Sequence, residues 1–104
     1  MKKIILFILL TVSTNVFSGL YFNAEKLITD IRSSSSTDNM VALGYIYGVV
    51  DTHSPICGWK LAGVTGTQLV QITKNFLEKK PESWNYGADS VVIFAIEEVY
   101  PCKK

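Results

Sequence analysis

The residues with the most reactive side chains lie close together in the middle of the chain, around its single histidine, His53. Asp51, His53 and Ser54 are the residue types of an acid, base and nucleophile set, but residues so close in a loop seldom reach the geometry that this chemistry needs. Cys57 follows His53 by four residues, a weak indication of a nucleophile and its base. The sequence contains no phosphate-binding loop and no nucleophile elbow. We therefore expect a protein that is not an enzyme.

The chain contains two cysteines, Cys57 and Cys102. A zinc site would need two further ligands, and His53 is the one histidine available to join the thiols. In an exported protein, the simplest use of two cysteines is one disulfide. That bond closes a loop of 46 residues counted inclusively, and the chain-entropy account gives it about 4 kcal/mol of stabilisation. We expect the Cys57–Cys102 disulfide, with no metal ion and no other cofactor.

Export is predicted from the N-terminal segment, residues 1–18. Two lysines near the start precede an apolar stretch over residues 4–12. Short residues follow at the positions that a signal peptidase recognises before its cleavage site. The apolar stretch is about half the length that a transmembrane helix needs. We expect a secretory signal peptide that is cleaved after Ser18 and leaves no membrane anchor. The alternative is that the segment is not cleaved and anchors the protein in the membrane. Residues 19–104 then form one domain.

The charge balance argues against a nucleic acid partner. The whole chain has 10 basic and 9 acidic residues, and the 86 residues after the signal peptide have 8 basic and 9 acidic ones. No strong field attracts phosphate backbones in either case. Apolar residues make up 48% of the chain and charged residues 18%, which excludes intrinsic disorder. A domain of this size commonly needs a covalent link to support its small core.

Hydrophobic periodicity predicts an all-α domain of four helices. Asn23 is a suitable N-cap for the first helix, whose apolar positions are Ala24, Leu27, Ile28 and Ile31. A serine-rich linker over residues 33–36 precedes a second helix, which starts at Thr37 or Asp38 and continues to Val50. This second helix has almost no polar face, so it must be central or shared with another chain. Because so short a chain encloses little, we expect a homodimer.

The remaining elements follow from turn and cap signals. Residues 51–63 have no sustained period and contain a proline and two glycines, so we expect a loop there. Thr65 and Gln68 form a capping box that starts a third helix, which ends before the next proline. Residues 85–100 favour a fourth helix. The run over residues 91–96 taken alone would also suit a buried strand.

Gly44 and Gly48 are four residues apart in the second predicted helix and therefore share one side of it. Two glycines at this spacing let a neighbouring backbone approach closely, a signal that is specific only in membranes. In this chain the pair indicates tight packing, either within the domain or at a dimer contact. Both possibilities stay open at this point.

Aromatic residues in the predicted loops are candidates for partner binding. Trp59 lies in the cysteine loop, next to Lys60, and Trp84 and Tyr86 lie between the last two helices. Tryptophan and tyrosine contribute disproportionately to the energy of protein interfaces. The alternative is that these loop aromatics cover their own core. We expect Trp59, Lys60, Trp84 and Tyr86 to contact a protein partner.

Several short segments follow one another at ordered spacing between residues 40 and 102. They are YIYGVVD at residues 45–51, Cys57, Val64 and Thr65, Gln68 and Leu69, Phe76 and Leu77 before Pro81 and Glu82, Ala88, and finally Tyr100, Pro101 and Cys102. Each segment alone is weak. Together they resemble the Rap/Tai family of periplasmic immunity proteins, which protect bacteria from amidase effectors of the type VI secretion system.

The resemblance implies a small helical protein, usually dimeric, that binds a peptidoglycan-cleaving cysteine amidase in the periplasm and obstructs its active-site cleft. It implies no enzymatic activity. The family pattern matches Cys57 to a loop cysteine and Cys102 to a terminal Pro-Cys, in agreement with the disulfide expected from the cysteine count. We expect a steric block, in which a rigid part of the domain fills the substrate groove with Trp59 or Trp84 as its anchor.

Two alternatives fit the same composition. A periplasmic acid-stress chaperone is also small, helical, dimeric and disulfide-linked, but this chain lacks the lysine-rich tails expected of that class. An inhibitor of another cell-wall hydrolase, such as a lysozyme, shares the blocking mechanism and differs in its target. Assays of client aggregation at acid pH, and panels of wall hydrolases, distinguish these alternatives from an amidase inhibitor.

Overall fold

The computed structural model describes residues 22–103. Its helices are α1 (Ala24–Arg32), α2 (Ser36–Cys57), α3 (Gly66–Lys79) and α4 (Ala88–Val99), with a 3-10 helix (Pro81–Asn85) between α3 and α4. Within the described residues there is no β-strand, and a single isolated bridge joins Asn23 to Gly87. The prediction of an all-α domain with four helices is confirmed.

The predicted signal peptide, residues 1–18, lies outside the described residues. The same is true of the first residues of the predicted mature domain, up to residue 21. Among the helices of residues 22–103, none is both long enough and apolar enough to cross a membrane.

Helix α1 begins as the sequence predicts. The Asn23 side chain accepts a hydrogen bond from the Lys26 amide at 2.8 Å, which satisfies one of the amides left free at a helix start. The buried apolar residues of the helix are Ala24, Leu27 and Ile28. Ile31 is only partly buried against the same core. The amphipathic character of α1 therefore directs most of its apolar side into the domain.

Polar contacts fix the two ends of α1 to the rest of the domain. At its start, the Ala24 amide donates to the Tyr86 carbonyl and the Ala88 amide donates to the Phe22 carbonyl, both at 2.9 Å. At its end, the Asn39 side-chain amide donates to the Asp30 carbonyl at 2.9 Å. Helix α1 is thus attached to α4 and to α2 by hydrogen bonds and packing.

Helix α2 has a narrow buried side and a broad exposed one. It starts at Ser36, slightly earlier than predicted, because the Ser35 side chain provides the cap by accepting from the Asp38 amide. Its buried residues are Ala42, Ile46, Val50 and Cys57. Its exposed large apolar residues are Met40, Val41, Tyr47 and Ile56. Within a single chain, much of the apolar surface of α2 therefore faces solvent.

The prediction of a loop from residue 51 is wrong for residues 51–57, which continue α2. Pro55 lies in the last turn, where its missing amide removes one helical hydrogen bond without breaking the helix. Cys57 follows Val50 by seven residues, so it continues the buried side. The helix ends at Gly58, whose φ of 74° is the left-handed conformation that glycine adopts readily. Four consecutive polar residues hid this continuation in the sequence.

The predicted third and fourth helices are confirmed as α3 and α4. In the capping box, the Thr65 hydroxyl accepts from the Gln68 amide at 3.1 Å, and the Thr65 amide donates to the Gln68 side chain at 2.8 Å. Helix α4 covers the run that also suited a strand, and it packs against α1, α2 and α3. Its buried residues are Ala88, Val91, Val92, Ala95 and Ile96. Helix α4 is therefore the central element of the core.

The disulfide between Cys57 and Cys102 is present, as expected. It joins the C-terminal end of α2 to the extended residues that follow α4. A backbone hydrogen bond lies beside it, because the Lys103 amide donates to the Cys57 carbonyl at 2.8 Å. The link encloses α3, the 3-10 helix and α4 within one covalent ring.

Replacing both cysteines, Cys57→Ser with Cys102→Ser, is expected to lower the free energy of unfolding by about 4 kcal/mol, because the unfolded chain regains the entropy of an open loop. Denaturant unfolding followed by far-UV circular dichroism measures the loss. Chemically reduced wild-type protein is the control and should unfold at the same denaturant concentration as the variant. An unchanged midpoint for the variant would contradict a stabilising role for the bond.

Candidate partner-binding surface

Trp59 does not belong to an exposed surface. It is 7% exposed and packs in the core, with its ring centroid 5.3 Å from that of His53. Its indole nitrogen has no hydrogen-bond partner within the described residues. The expectation that Trp59 anchors a partner is therefore corrected. Its burial agrees with the alternative, in which a loop aromatic covers the core of its own domain. Lys60 beside it is exposed.

Trp84 holds the 3-10 helix in place. Its indole nitrogen donates to the Leu77 carbonyl of α3 at 2.8 Å. The Arg32 guanidinium of α1 lies over the indole ring, 5.3 Å from the ring centroid, and also contacts the Glu78 carboxylate at 3.2 Å. Trp84 is partly buried by these contacts, so the structure gives it a positioning role between α1 and α3.

Tyr86 is the predicted aromatic that is available to a partner, with 53% of its surface exposed. It lines an open groove of about 500 Å³ between the end of α3, the 3-10 helix and α4. We call this the acidic groove. Its lining residues are Phe76, Lys80, Glu82, Ser83, Tyr86, Phe94, Glu97 and Glu98.

The acidic groove combines exposed aromatic rings with excess negative charge. Phe94 is 49% exposed, an unusual position for a phenylalanine in the middle of a helix. The ion pairs of residues 22–103 involve none of the three glutamates. The one lysine, Lys80, places its ammonium 5.4 Å from the Phe76 ring centroid. Such a surface suits a protein segment that presents a basic side chain next to apolar atoms.

Sequence reasoning missed the acidic groove. Glu97 and Glu98 look like a solvated helix face in the sequence, and their place beside Phe94 depends on how α3 packs on α4. One signal was available. Phe94 lies off the stripe of buried residues in α4, so the helical pattern already placed a large aromatic ring on the outer side.

Gly44 and Gly48 line a second open groove, of about 450 Å³, between α2 and α4. We call it the glycine groove, and its other lining residues are Tyr45, Val49, Thr52, His53, Asp89 and Ile93. Both glycines are exposed, and a Cβ added to either would meet nothing within 4 Å. The chain therefore does not use them for close packing within itself. A contact with a second chain stays a prediction.

The reactive residues of α2 are not assembled into a catalytic set. The Ser54 hydroxyl donates to the Trp59 carbonyl at 3.4 Å. No hydrogen bond joins Asp51, His53 and Ser54 to one another in the described part of the chain. Cys57 is engaged in the disulfide, so its sulfur is not a free thiol. The grooves described above are therefore the candidate functional surfaces of residues 22–103.

These features define a small helical domain that is closed by one disulfide and presents open grooves on either side of α4. The chain belongs to the Rap1a immunity proteins, whose family pattern matches residues 21–102. This match confirms the resemblance found in the sequence. Neither a curated protein nor a solved structure is significantly similar to the chain.

Gly44→Ala is expected to raise the free energy of unfolding by about 0.5–1 kcal/mol, because alanine is the better helix former and its Cβ meets open space. Thermal and denaturant unfolding measure the change. Gly63→Ala is the matched control and should destabilise the domain, since its Cβ also meets open space but its φ of 87° is a conformation that alanine rarely adopts. A clear loss of stability in Gly44→Ala that is the same at all protein concentrations would mean that this face is packed within the chain, whereas a loss that grows with concentration would indicate a dimer contact.

Proposed function

We propose that the protein is a periplasmic immunity protein, which binds a peptidoglycan amidase effector of the type VI secretion system and blocks it. The observation that carries this proposal is membership of the Rap1a immunity proteins over residues 21–102. An immunity protein acts by binding a cognate effector, so it needs an exposed and rigid surface. It needs no cofactor, no nucleic acid and no catalytic activity of its own.

We assign effector binding to the acidic groove. Tyr86 and Phe94 supply exposed aromatic surface, which is the usual source of binding energy at the centre of an interface. Glu98 and its acidic neighbours supply a negative field that favours approach of a basic segment. Trp84 fixes the 3-10 helix that carries part of this surface. A groove held in place before binding avoids the entropy cost of ordering it in the complex.

The effector is inhibited sterically in this proposal. The domain covers the substrate cleft of the amidase, and peptidoglycan no longer reaches the catalytic cysteine. The disulfide supports this action, because it fixes the end of α2 relative to the chain beyond α4. A target among other wall hydrolases, such as a lysozyme, would use the same mechanism, and a panel of such enzymes separates the two.

We further propose a homodimer in which a second copy covers the outer side of α2. Met40 is 70% exposed and Tyr47 is 43% exposed, so this helix carries apolar surface that one chain leaves open. Gly44 and Gly48 lie on the wall of the neighbouring groove and would permit close approach of another helix. Light scattering at micromolar concentration tests the dimer, and a purely monomeric sample would contradict it.

Export to the periplasm is proposed from residues 1–18. Full-length protein expressed in a Gram-negative host should be recovered from the periplasmic fraction, with Gly19 as its first residue. Mass spectrometry of the intact chain measures both the cleavage site and the oxidised state of the cysteines. A chain that lacks residues 1–18 is the control and should stay in the cytoplasm. Recovery of uncleaved full-length protein from the membrane fraction would contradict cleavage and support the anchor.

Two substitutions in the acidic groove should weaken effector binding. Phe94→Ala is expected to raise the Kd by about 30-fold, the loss typical of a central aromatic residue. Glu98→Lys is expected to raise it by about tenfold, mainly through slower association. The flanking DNA is sequenced first, and a cysteine amidase encoded there is the effector to test. Binding to it is measured by isothermal calorimetry and by inhibition of peptidoglycan cleavage.

Matched variants outside the groove distinguish a local effect from a general one. Ile56→Ala removes an apolar side chain that is 61% exposed on α2, and Asp51→Lys makes the same change of charge as Glu98→Lys at an exposed position. Both should bind the amidase like the wild type. Equal weakening by all four variants would rule out the groove as the binding surface. Absence of binding by the wild type to any amidase would contradict the proposed function itself.

A further inference from the structure

Three metal-binding side chains meet at the C-terminal end of α2. The sulfur atoms of Cys57 and Cys102 and a ring nitrogen of His53 all lie within 4.8 Å of one another. His53 and Cys57 are one helical turn apart on the same side of α2. Cys102 arrives from the far end of the chain, after α4. The topology therefore brings together three residues of the types that bind zinc.

We propose that the reduced protein binds a thiophilic divalent cation, Zn²⁺ being the physiological candidate, through Cys57, Cys102 and His53. Thiolate sulfur and imidazole nitrogen bind Zn²⁺ at about 2.3 Å and 2.0–2.1 Å, so tetrahedral ligands lie roughly 3.8 Å apart or less. In the oxidised protein the three ligand atoms lie within 4.8 Å of one another. On reduction the two sulfurs separate, and the His53 ring has to move about 1 Å closer to them to reach the spacing of a zinc site. A water molecule completes a site with three protein ligands.

The approach of Cys102 to α2 does not depend on the disulfide alone. The Tyr100 amide donates to the Ile96 carbonyl at 2.7 Å, and the Lys103 amide donates to the Cys57 carbonyl at 2.8 Å. These hydrogen bonds hold the backbone on both sides of Cys102. The helix end is fixed as well, since the Gly58 amide donates to the Ser54 carbonyl at 2.8 Å. These backbone contacts favour the same approach of Cys102 to α2 after the bond between the sulfurs is broken.

The disulfide and the bound cation exclude each other, because both need the sulfur atoms of Cys57 and Cys102. A dithiol reductant gives two electrons and two protons to the Cys57–Cys102 bond, which breaks into two thiols while the reductant becomes a disulfide. Cation binding then releases the two thiol protons to solvent, and neutral His53 supplies a ring nitrogen. The cation joins α2 to the C-terminal residues as the disulfide did. A disulfide oxidant reverses the step: it takes two electrons from the thiolates and two protons from solvent to become two thiols, the Cys57–Cys102 bond forms again, and the cation is expelled.

This inference is independent of effector binding. It concerns the side of α2 near Trp59, whose ring packs beside His53 and gives a local optical probe. The two cysteines and one histidine of the sequence fall short of a closed site with four protein ligands. The structure adds that all three meet, which is sufficient for a site that keeps a solvent position.

The test uses the chain 19–104, reduced with a phosphine, which opens the disulfide and does not compete strongly for metal. Co²⁺ is added without oxygen, and the thiolate-to-cobalt charge-transfer band and the d–d bands of tetrahedral cobalt are recorded. We expect equimolar binding by the reduced protein, quenching of tryptophan fluorescence and displacement by Zn²⁺. The oxidised protein should give no charge-transfer band.

Variants assign the ligands. His53→Asn should weaken Co²⁺ binding by more than about 100-fold, since losing even a partner outside the ligand shell costs 10–100-fold. Cys102→Ser should remove much of the charge-transfer intensity. Thr52→Ala, on the adjacent residue, is the matched control and should bind like the wild type.

Three results would overturn the proposal. They are equal binding by the oxidised protein, unchanged affinity in His53→Asn, and a reduced chain that far-UV circular dichroism finds unfolded both with and without Co²⁺. Helical signal that is retained on reduction, or lost on reduction and regained with Co²⁺, supports it. Because the readouts need no effector, a failure here is distinct from a failure of the proposed function.

Discussion

The covalent link between Cys57 and Cys102 is the constraint on which the arrangement of the helices depends. It closes a ring that contains α3, the 3-10 helix and α4, while α1 lies outside the ring. A chain of this size buries a small core, so entropy removed from the unfolded state is a large part of its stability. Helix α1 is held by non-covalent contacts: its buried apolar residues, the backbone hydrogen bonds at its start and the hydrogen bond from the Asn39 side chain at its end.

Helix α4 is central in the core and therefore shapes both exposed grooves. Its buried stripe contacts the other three helices, and the residues on either side of the stripe face outward. Ile93 lies on the wall of the glycine groove, whereas its neighbour Phe94 lies on the wall of the acidic groove. A dimer formed at the glycine groove would leave the acidic groove free. Two different partners could then bind one small domain at the same time.

Local signals predicted most of the fold, and tertiary packing decided the rest. Asn23 and the Thr65–Gln68 box are short-range interactions, so the sequence located the starts of α1 and α3 correctly. Residues 51–57 were misread because a proline in the last turn of a helix resembles a loop signal. The burial of Trp59 depends on which helices pack together, and the residue spacing within its own segment does not show it. The exposure of Phe94 was visible in the helical spacing of α4, but its place beside Glu97 and Glu98 in a groove was not.

Membership of the family indicates an immunity role but not the surface that binds the effector. The composition of the acidic groove offers a reason. Its lining residues come from the end of α3, the 3-10 helix and α4, and its glutamates remain hydrated in the free protein at little energetic cost. If the acidic groove binds the effector as proposed, the same carboxylates lose water in the complex and need a basic partner in a fixed place. Affinity therefore depends on complementarity to one effector rather than on stability of the fold. Under this proposal the fold does not constrain the groove residues that contact the effector, whereas the caps, the buried stripe of α4 and the Cys57–Cys102 link are required by the domain itself.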